Sequence, residues 1–566
     1  MKKTHLFLLL LLSYLDCCAQ NHNLQIRGTT EKETQFIEAL NYRKSHTSYT
    51  SVLEETETIQ FRLRKEGYLE TNIASLTKIN DSSHIAILKL GTKTTTITIN
   101  INATPEVRKL ISRQKDNITI PYKEIETFMS EQEKKLNEAG YPFSVLKLNN
   151  ISKQHQNLSA DLNIFETKLK KVNSIQIIEN NTNLSKFPTG SLKQINREFR
   201  NTIISENTLK KINNTFDKFN FVRQTKFPEA LFIADSTKIY IYLEKQNANN
   251  FDGFIGFANN ENQQLRLSGY IDLELQNILN TGEEFKLNWK SDGANQRVFN
   301  TSLELPYLLK SPIGLKGQIN IFKQDSTFQN TRTGIELSYF LKYSKRFYLG
   351  YESTTSSDIQ NTNSSTLTDY ISNFITARFS YFKRDNNNKI NPNKTSTNIK
   401  IGSGTRNNTN ALQTTNSDKQ SYIELTSDYT FYITQKNHFN IKGIYQDLKS
   451  NSYNINELYR FGGINSIRGF QENSLVAQKY IVIATEYRYL INNNFYLNTI
   501  LDYSNYNNPN TTPSTTYTYK TMSTGLGFSL QTDKGILRFS AVKNYNNNTK
   551  TDFRNIIIHF SYNIKF

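Results

Sequence analysis

Cysteine is almost missing from this chain of 566 residues, and the two present, Cys17 and Cys18, both lie at its N-terminus. Lys2 and Lys3 precede a short apolar run, Leu6, Phe7 and Leu8 to Leu12, and Cys17-Cys18-Ala19 offers small residues at the positions a signal peptidase reads. Residues 1–19 therefore read as a signal peptide cleaved after Ala19. Cleavage there removes both thiols, which excludes disulfides and leaves hydrogen-bond ladders and packing to hold the mature chain. The competing reading, lipidation at Cys17 or Cys18, is disfavoured by Asp16. Long apolar runs are missing too: no other stretch approaches the ~18 residues a spanning helix needs, so entry into a membrane would have to be by strands. Tryptophan is represented only by Trp289, so any interfacial girdle would consist of Tyr and Phe.

Signals for catalysis are equally sparse. The seven histidines, His5, His22, His46, His84, His155, His438 and His559, show no ligand spacing, and no metal is expected. Gly525-Leu526-Gly527 lacks the third glycine and following helix of a dinucleotide site, and Gly463 to Gly469 lacks the Gly-Lys-Ser/Thr ending of a phosphate loop. There is no Gly-x-Ser-x-Gly elbow. The reading is a protein without cofactor that is not an enzyme. Its formal net charge of +18 would suit nucleic acid. The basic residues are scattered among Asn, Thr and Ser, however, and the export signal points away from nucleic acid towards anionic lipid headgroups or acidic glycans.

What is present is alternation. Ile556, Ile558, Phe560, Tyr562, Ile564 and Phe566 share one face of the last segment, with mostly polar residues opposite, the pattern of a membrane-spanning barrel strand. From about Asn250 such segments recur, beginning with Leu265 to Gln276 and Phe285 to Trp289 and including Ile481 to Tyr489 and Phe495 to Tyr503. Loops rich in Asn, Ser and Thr, such as Thr354 to Thr368 and Asn407 to Lys419, separate them. Roughly 315 residues at about 20 per strand and connection predict roughly sixteen strands in an antiparallel barrel.

The first 250 residues follow another grammar, a repeat. Gly67-Tyr68 and Gly140-Tyr141, 73 residues apart (140 − 67), each close an amphipathic helix, and Asn220-Phe221 follows 80 residues later (220 − 140). Gly and Asn both take the left-handed conformation that ends helices, so Gly67, Gly140 and Asn220 are read as three uses of one helix stop. Each copy is flanked as strand, helix, helix, strand, strand, a small α+β unit. This order resembles the POTRA (polypeptide-transport-associated) domain, which implies POTRA-like domains at 20–94, 95–169 and 170–247 ahead of a barrel at 248–566.

One barrel segment is distinctive: Tyr459-Arg460-Phe461-Gly462-Gly463-Ile464-Asn465-Ser466-Ile467-Arg468-Gly469-Phe470. Ile467-Arg468-Gly469-Phe470 resembles the Val/Ile-Arg-Gly-Tyr/Phe loop tip of the outer-membrane insertase and translocator superfamily that includes the BamA/TamA type, and three POTRA-like units look most like the TamA type. The resemblance implies a loop folded into the lumen whose arginine meets acidic residues on the following strands. Alternation places Glu486 and Asp502 on inward faces, so these are the predicted partners of Arg468. Leu501-Asp502-Tyr503-Ser504 is similar to the family's aromatic-x-Asp-x-Gly strand end, but has Ile500 and Ser504 where aromatic and glycine are usual. The resemblance further implies a lateral seam between first and last strands, here Gly253 and Gly256 against Phe560 and Phe566. The expected function is insertion of unfolded client proteins into, or passage across, the bacterial outer membrane, with the POTRA-like domains in the periplasm. Expected partners are outer-membrane or secreted clients and outer-membrane lipids, with accessory lipoproteins or an inner-membrane partner left open. The alternative is a two-partner-secretion-type pore for a soluble client; a plain porin or receptor ranks lower.

Overall fold

A computed structural model describes residues 21–112, 115–165, 168–179, 186–233, 236–259, 265–292, 296–360, 367–385, 388, 390, 393–409, 417–509, 517–532, 535–546 and 556–565. The signal peptide with Cys17, Cys18 and Ala19, and the terminal Phe566, lie outside the described residues. Two compact units are present, Met1–Lys171 with Thr202–Thr208, and Val172–Asn201 with Leu209–Phe566.

The first unit holds two α+β domains resembling POTRA repeats. In the first, the parallel pair His22–Gly28 and Ser83–Lys89 is central, flanked by Ser45–His46 and Asn72–Asn80. Helices Glu31–Ala39 and Tyr49–Lys65 bury Ile37, Val52, Ile59 and Leu63 against Leu24, Ile26 and Leu88. Thr30 and Glu33 form a capping box at the start of the first helix, satisfying its free amides. The second domain repeats the plan with Thr96–Asn102 parallel to Asn157–Phe165, flanked by Asn117–Pro121 and Val145–Gln154. Each sheet therefore has a fourth, short strand that the sequence pattern did not reveal.

Gly67 and Gly140 end their helices in the left-handed conformation, at φ 105° and 94°. In each case the following tyrosine amide reaches back to the carbonyl of Leu63 or Leu136, the wide bond of a helix stop. Asn220 departs from this expectation, because its φ is not positive. The helix Glu206–Phe216 instead unwinds through bonds from the Asp217, Lys218 and Phe219 amides to the Asn213, Thr215 and Phe216 carbonyls. Phe216, Phe219 and Phe221 then gather around Phe187, so ring packing replaces the stop. The device is used twice, not three times.

In the second unit, Ser236–Lys245 pairs with Ser174–Glu179, Val222–Gln224 and Glu229–Ile233 to form the third α+β sheet. This domain sits on one rim of the barrel, where Phe219 stacks on Tyr343 with centroids 4.1 Å apart and Gln194 donates to the Lys310 carbonyl at 2.7 Å. The barrel is a closed antiparallel cylinder of sixteen strands, from Asn250–Asn259 to Ile556–Lys565. Its outer face carries Leu349, Ile375, Leu526 and Phe560, each at least 66 % exposed, an apolar band suited to lipid. No helix among the described residues is long and apolar enough to cross a membrane. Two expected loops are partly strand: Lys345–Asp358 and Asn393–Asn408 extend into the polar runs, where hydrogen bonding continues without apolar alternation.

Candidate functional site

The connection between the eleventh strand, Asn437–Lys449, and the twelfth, Lys479–Asn492, carries the Arg-Gly-Phe tip. A short hairpin, Tyr459–Phe461 with Leu475–Ala477, leads the chain to it. Gly462 and Gly463 reverse the backbone at φ 113° and 93°, and the Gly462 amide donates to Ser466 Oγ at 2.7 Å. Ile467 is fully buried and Phe470 is nearly so, in an apolar cluster with Phe461, Ala477, Tyr480 and Val482. Phe461 lies flat on Tyr480 at 4.2 Å. This cluster drives the tip onto the wall, since such contacts are lost if the loop swings out.

Arg468 reaches the wall between the twelfth strand and the thirteenth, Phe495–Asn508. Its Nε donates to Asp502 Oδ2 at 2.8 Å and its Nη2 to Asp502 Oδ1 at 2.6 Å, a two-pronged pairing, while Nη1 pairs with Glu486. The Arg468 amide adds a bond to Asp502 Oδ2 at 3.1 Å. Asp502 has no exposed surface, so its charge is balanced entirely by protein donors. The structure thus brings Arg468, Glu486 and Asp502 together.

Three further residues hold the tip. Arg488 Nε donates to Glu486 Oε2 at 2.7 Å, so one carboxylate bridges two guanidiniums. Asn544 Nδ2 donates to the Gly469 carbonyl at 2.5 Å, and Lys442 Nζ to the Asn465 carbonyl at 2.7 Å. Parity alone places Arg488 inside; Asn544 and Lys442 bond to loop carbonyls, for which sequence has no marker. At Gly469, φ is 83° and an added Cβ would lie 3.2 Å from Val542 and 3.3 Å from the Asn544 amide nitrogen, so a side chain would strain the backbone and crowd the wall. A polar lumenal cavity of about 690 Å³ adjoins the tip and is lined by Asp252, Lys290, Arg468, Glu486 and His559.

The seam is thin. The first strand carries Gly253 and Gly256, and the last carries Phe560. The two strands share two registered pairs, Asn250 with Lys565 and Phe251 with Ile564. By contrast the first strand is joined to the second, Leu265–Gln276, at ten pairs, and the last to the fifteenth, Gly535–Asn546, at nine. Among the described residues, Gly253, Gly256 and Phe560 lie beyond the paired stretch and are not brought into register.

Residues 277–566 match the Omp85 superfamily domain. Solved structures that align with the chain include BamA from Haemophilus ducreyi lacking POTRA domains 1-3, at 15 % identity and TM-score 0.47, covering 82 % of this chain and 98 % of that one. CdiB from Acinetobacter baumannii aligns at 14 % identity and TM-score 0.49 over 84 % of this chain and 90 % of its own. CdiB from Escherichia coli aligns at 11 % and 0.47 over 90 % and 98 %. No curated protein matches the sequence. With its sixteen-stranded barrel preceded by α+β domains, and more than half its length matching the domain, the chain belongs to the Omp85 superfamily of bacterial outer-membrane barrels that assemble or translocate proteins.

Proposed function

We propose that this protein inserts other β-barrels into the outer membrane through its own seam. The observation that carries the reading is the joint between first and last strands, zipped at two pairs while each partner's other edge is fully laddered. Lipid offers no water to an open strand edge, so the unpaired length of Asn250–Asn259 favours capture of another strand. A client's terminal strand satisfies it by main-chain hydrogen bonds and so needs no particular sequence. The three α+β domains, 20–94, 95–169 and 170–247, extend into the periplasm and receive unfolded clients on sheet edges such as Val145–Gln154. Arg468, Glu486 and Asp502 brace the loop against the twelfth and thirteenth strands and so keep that part of the wall fixed while the seam exchanges strands. The work is mechanical and requires no cofactor.

Depleting the protein and quantifying the outer-membrane proteome tests this. Loss of many barrels supports the reading. Loss of a single secreted product with barrels unchanged would assign a pore for a soluble client instead.

A further inference from the structure

Among the described residues, the largest fully buried side chain is also an arginine. Arg406, on the ninth strand, Asn393–Asn408, has no exposed surface. It lies at the end of the barrel away from the third α+β domain: Tyr343, which stacks on Phe219, marks the near rim between the sixth and seventh strands, and hairpin alternation puts the end of the ninth at the far rim. Its guanidinium pairs with Asp418 on the tenth strand, Ser417–Tyr432, and with Glu457 in the loop. Nη1 also donates to the Ser452 carbonyl at 3.2 Å and Nη2 to Ser452 Oγ at 2.6 Å.

The loop segment it holds is built to be held. Asn454 and Glu457 cap a short turn reciprocally, and Gln420 Nε2 donates to Glu457 Oε2 at 2.9 Å. One residue earlier, Asn456 donates to Ser356 Oγ at 2.7 Å and to the Thr368 carbonyl at 2.9 Å, and its own carbonyl accepts from Asn330 Nδ2 at 2.5 Å. Asn330 is on the sixth strand and Ser356 on the seventh, whereas Asp502, which holds the other part of the same loop, is on the thirteenth. Seven strands out of sixteen is nearly half the circumference. The loop therefore crosses the mouth: Arg468 ties it at the twelfth and thirteenth strands, Arg406 with Asp418 and Glu457 at the ninth and tenth, and Asn456 at the sixth and seventh.

We propose that Arg406 is a positioning residue that latches residues 450–457 across the outer mouth and keeps the lumen closed to solutes. Breaking the latch leaves the buried Glu457 carboxylate without its cation, which drives the segment towards water. The Arg468 tip of the same loop has its own partners, Glu486 on the twelfth strand and Asp502 on the thirteenth.

The test is single-channel conductance of the full-length protein in planar bilayers, without client, so that its result is independent of the insertase reading. Folding is checked by heat-modifiable gel mobility. Arg406→Gln is expected to fold and to conduct several-fold more than wild type. Adding Asp418→Cys with Ser452→Cys, whose parent side chains are bonded at 2.7 Å, is expected to restore low conductance when oxidised and to lose it on reduction. Folded Arg406→Gln with wild-type conductance, or raised conductance that the disulfide leaves unchanged, would overturn the proposal. Should Arg406→Gln not fold, Glu457→Gln, which keeps the Asp418 pair, is read by the same criteria.

Discussion

Arg468 and Asp502 meet side by side, Nε to Oδ2 at 2.8 Å and Nη2 to Oδ1 at 2.6 Å, with the carboxylate wholly out of solvent. Removing either member strands the other's charge, at a cost of about 3–5 kcal/mol. Arg468→Ala and Asp502→Asn are each expected to lower the temperature at which the folded barrel converts on semi-native gels and to reduce client assembly. Arg468→Lys is not expected to recover either, since an ammonium cannot reproduce the fork. Wild-type heat resistance and assembly in both variants would remove the bracing role.

The two glycine stops and Asn220 separate by mutation. An Ala Cβ at Gly67 would lie 2.3 Å from the Thr94 carbonyl oxygen, on a backbone with φ 105°. Gly67→Ala should destabilise the first domain by more than about 1 kcal/mol, measured as faster amide exchange over its helix Tyr49–Lys65. Asn220→Gly should bring no stabilisation, because that position does not use the left-handed region.

His84 gives the first domain a pH response. Its ring is buried at 3 % exposure, and Nε2 lies 3.0 Å from His22 Nδ1. Burial, then the neighbouring His22 and Lys78, hold its pKa below the ordinary imidazole value. The folded state thus favours neutral His84, and the stability this provides is present above about pH 6.5 and is lost as pH falls towards the folded pKa. Amide exchange in the strand Ser83–Lys89, corrected for intrinsic rate, should be faster at pH 5.5 than at 7.5, and His84→Gln should weaken that difference.

The parts legible in sequence are those with a period or a rare residue type. Alternation in Ile481 to Tyr489 places Glu486 inward because a strand's period is two, and the Arg-Gly-Phe tip stands out as a charge between apolar residues. The short strand Ser45–His46 has too few residues to show a period, and Asn220 reads as a stop because local sequence carries no sign of Phe187, whose packing on Phe216, Phe219 and Phe221 ends that helix instead. The Arg406 latch was invisible because its partners lie 12 and 51 residues away in polar runs that have no alternation to orient them.

The seam is tested most directly by locking it. Phe251→Cys with Ile564→Cys joins the first and last strands at a registered pair, in a chain whose own cysteines precede the expected cleavage site. Client-barrel assembly should stop when the bond is oxidised and resume on reduction. Undiminished assembly by the fully cross-linked protein would contradict the account.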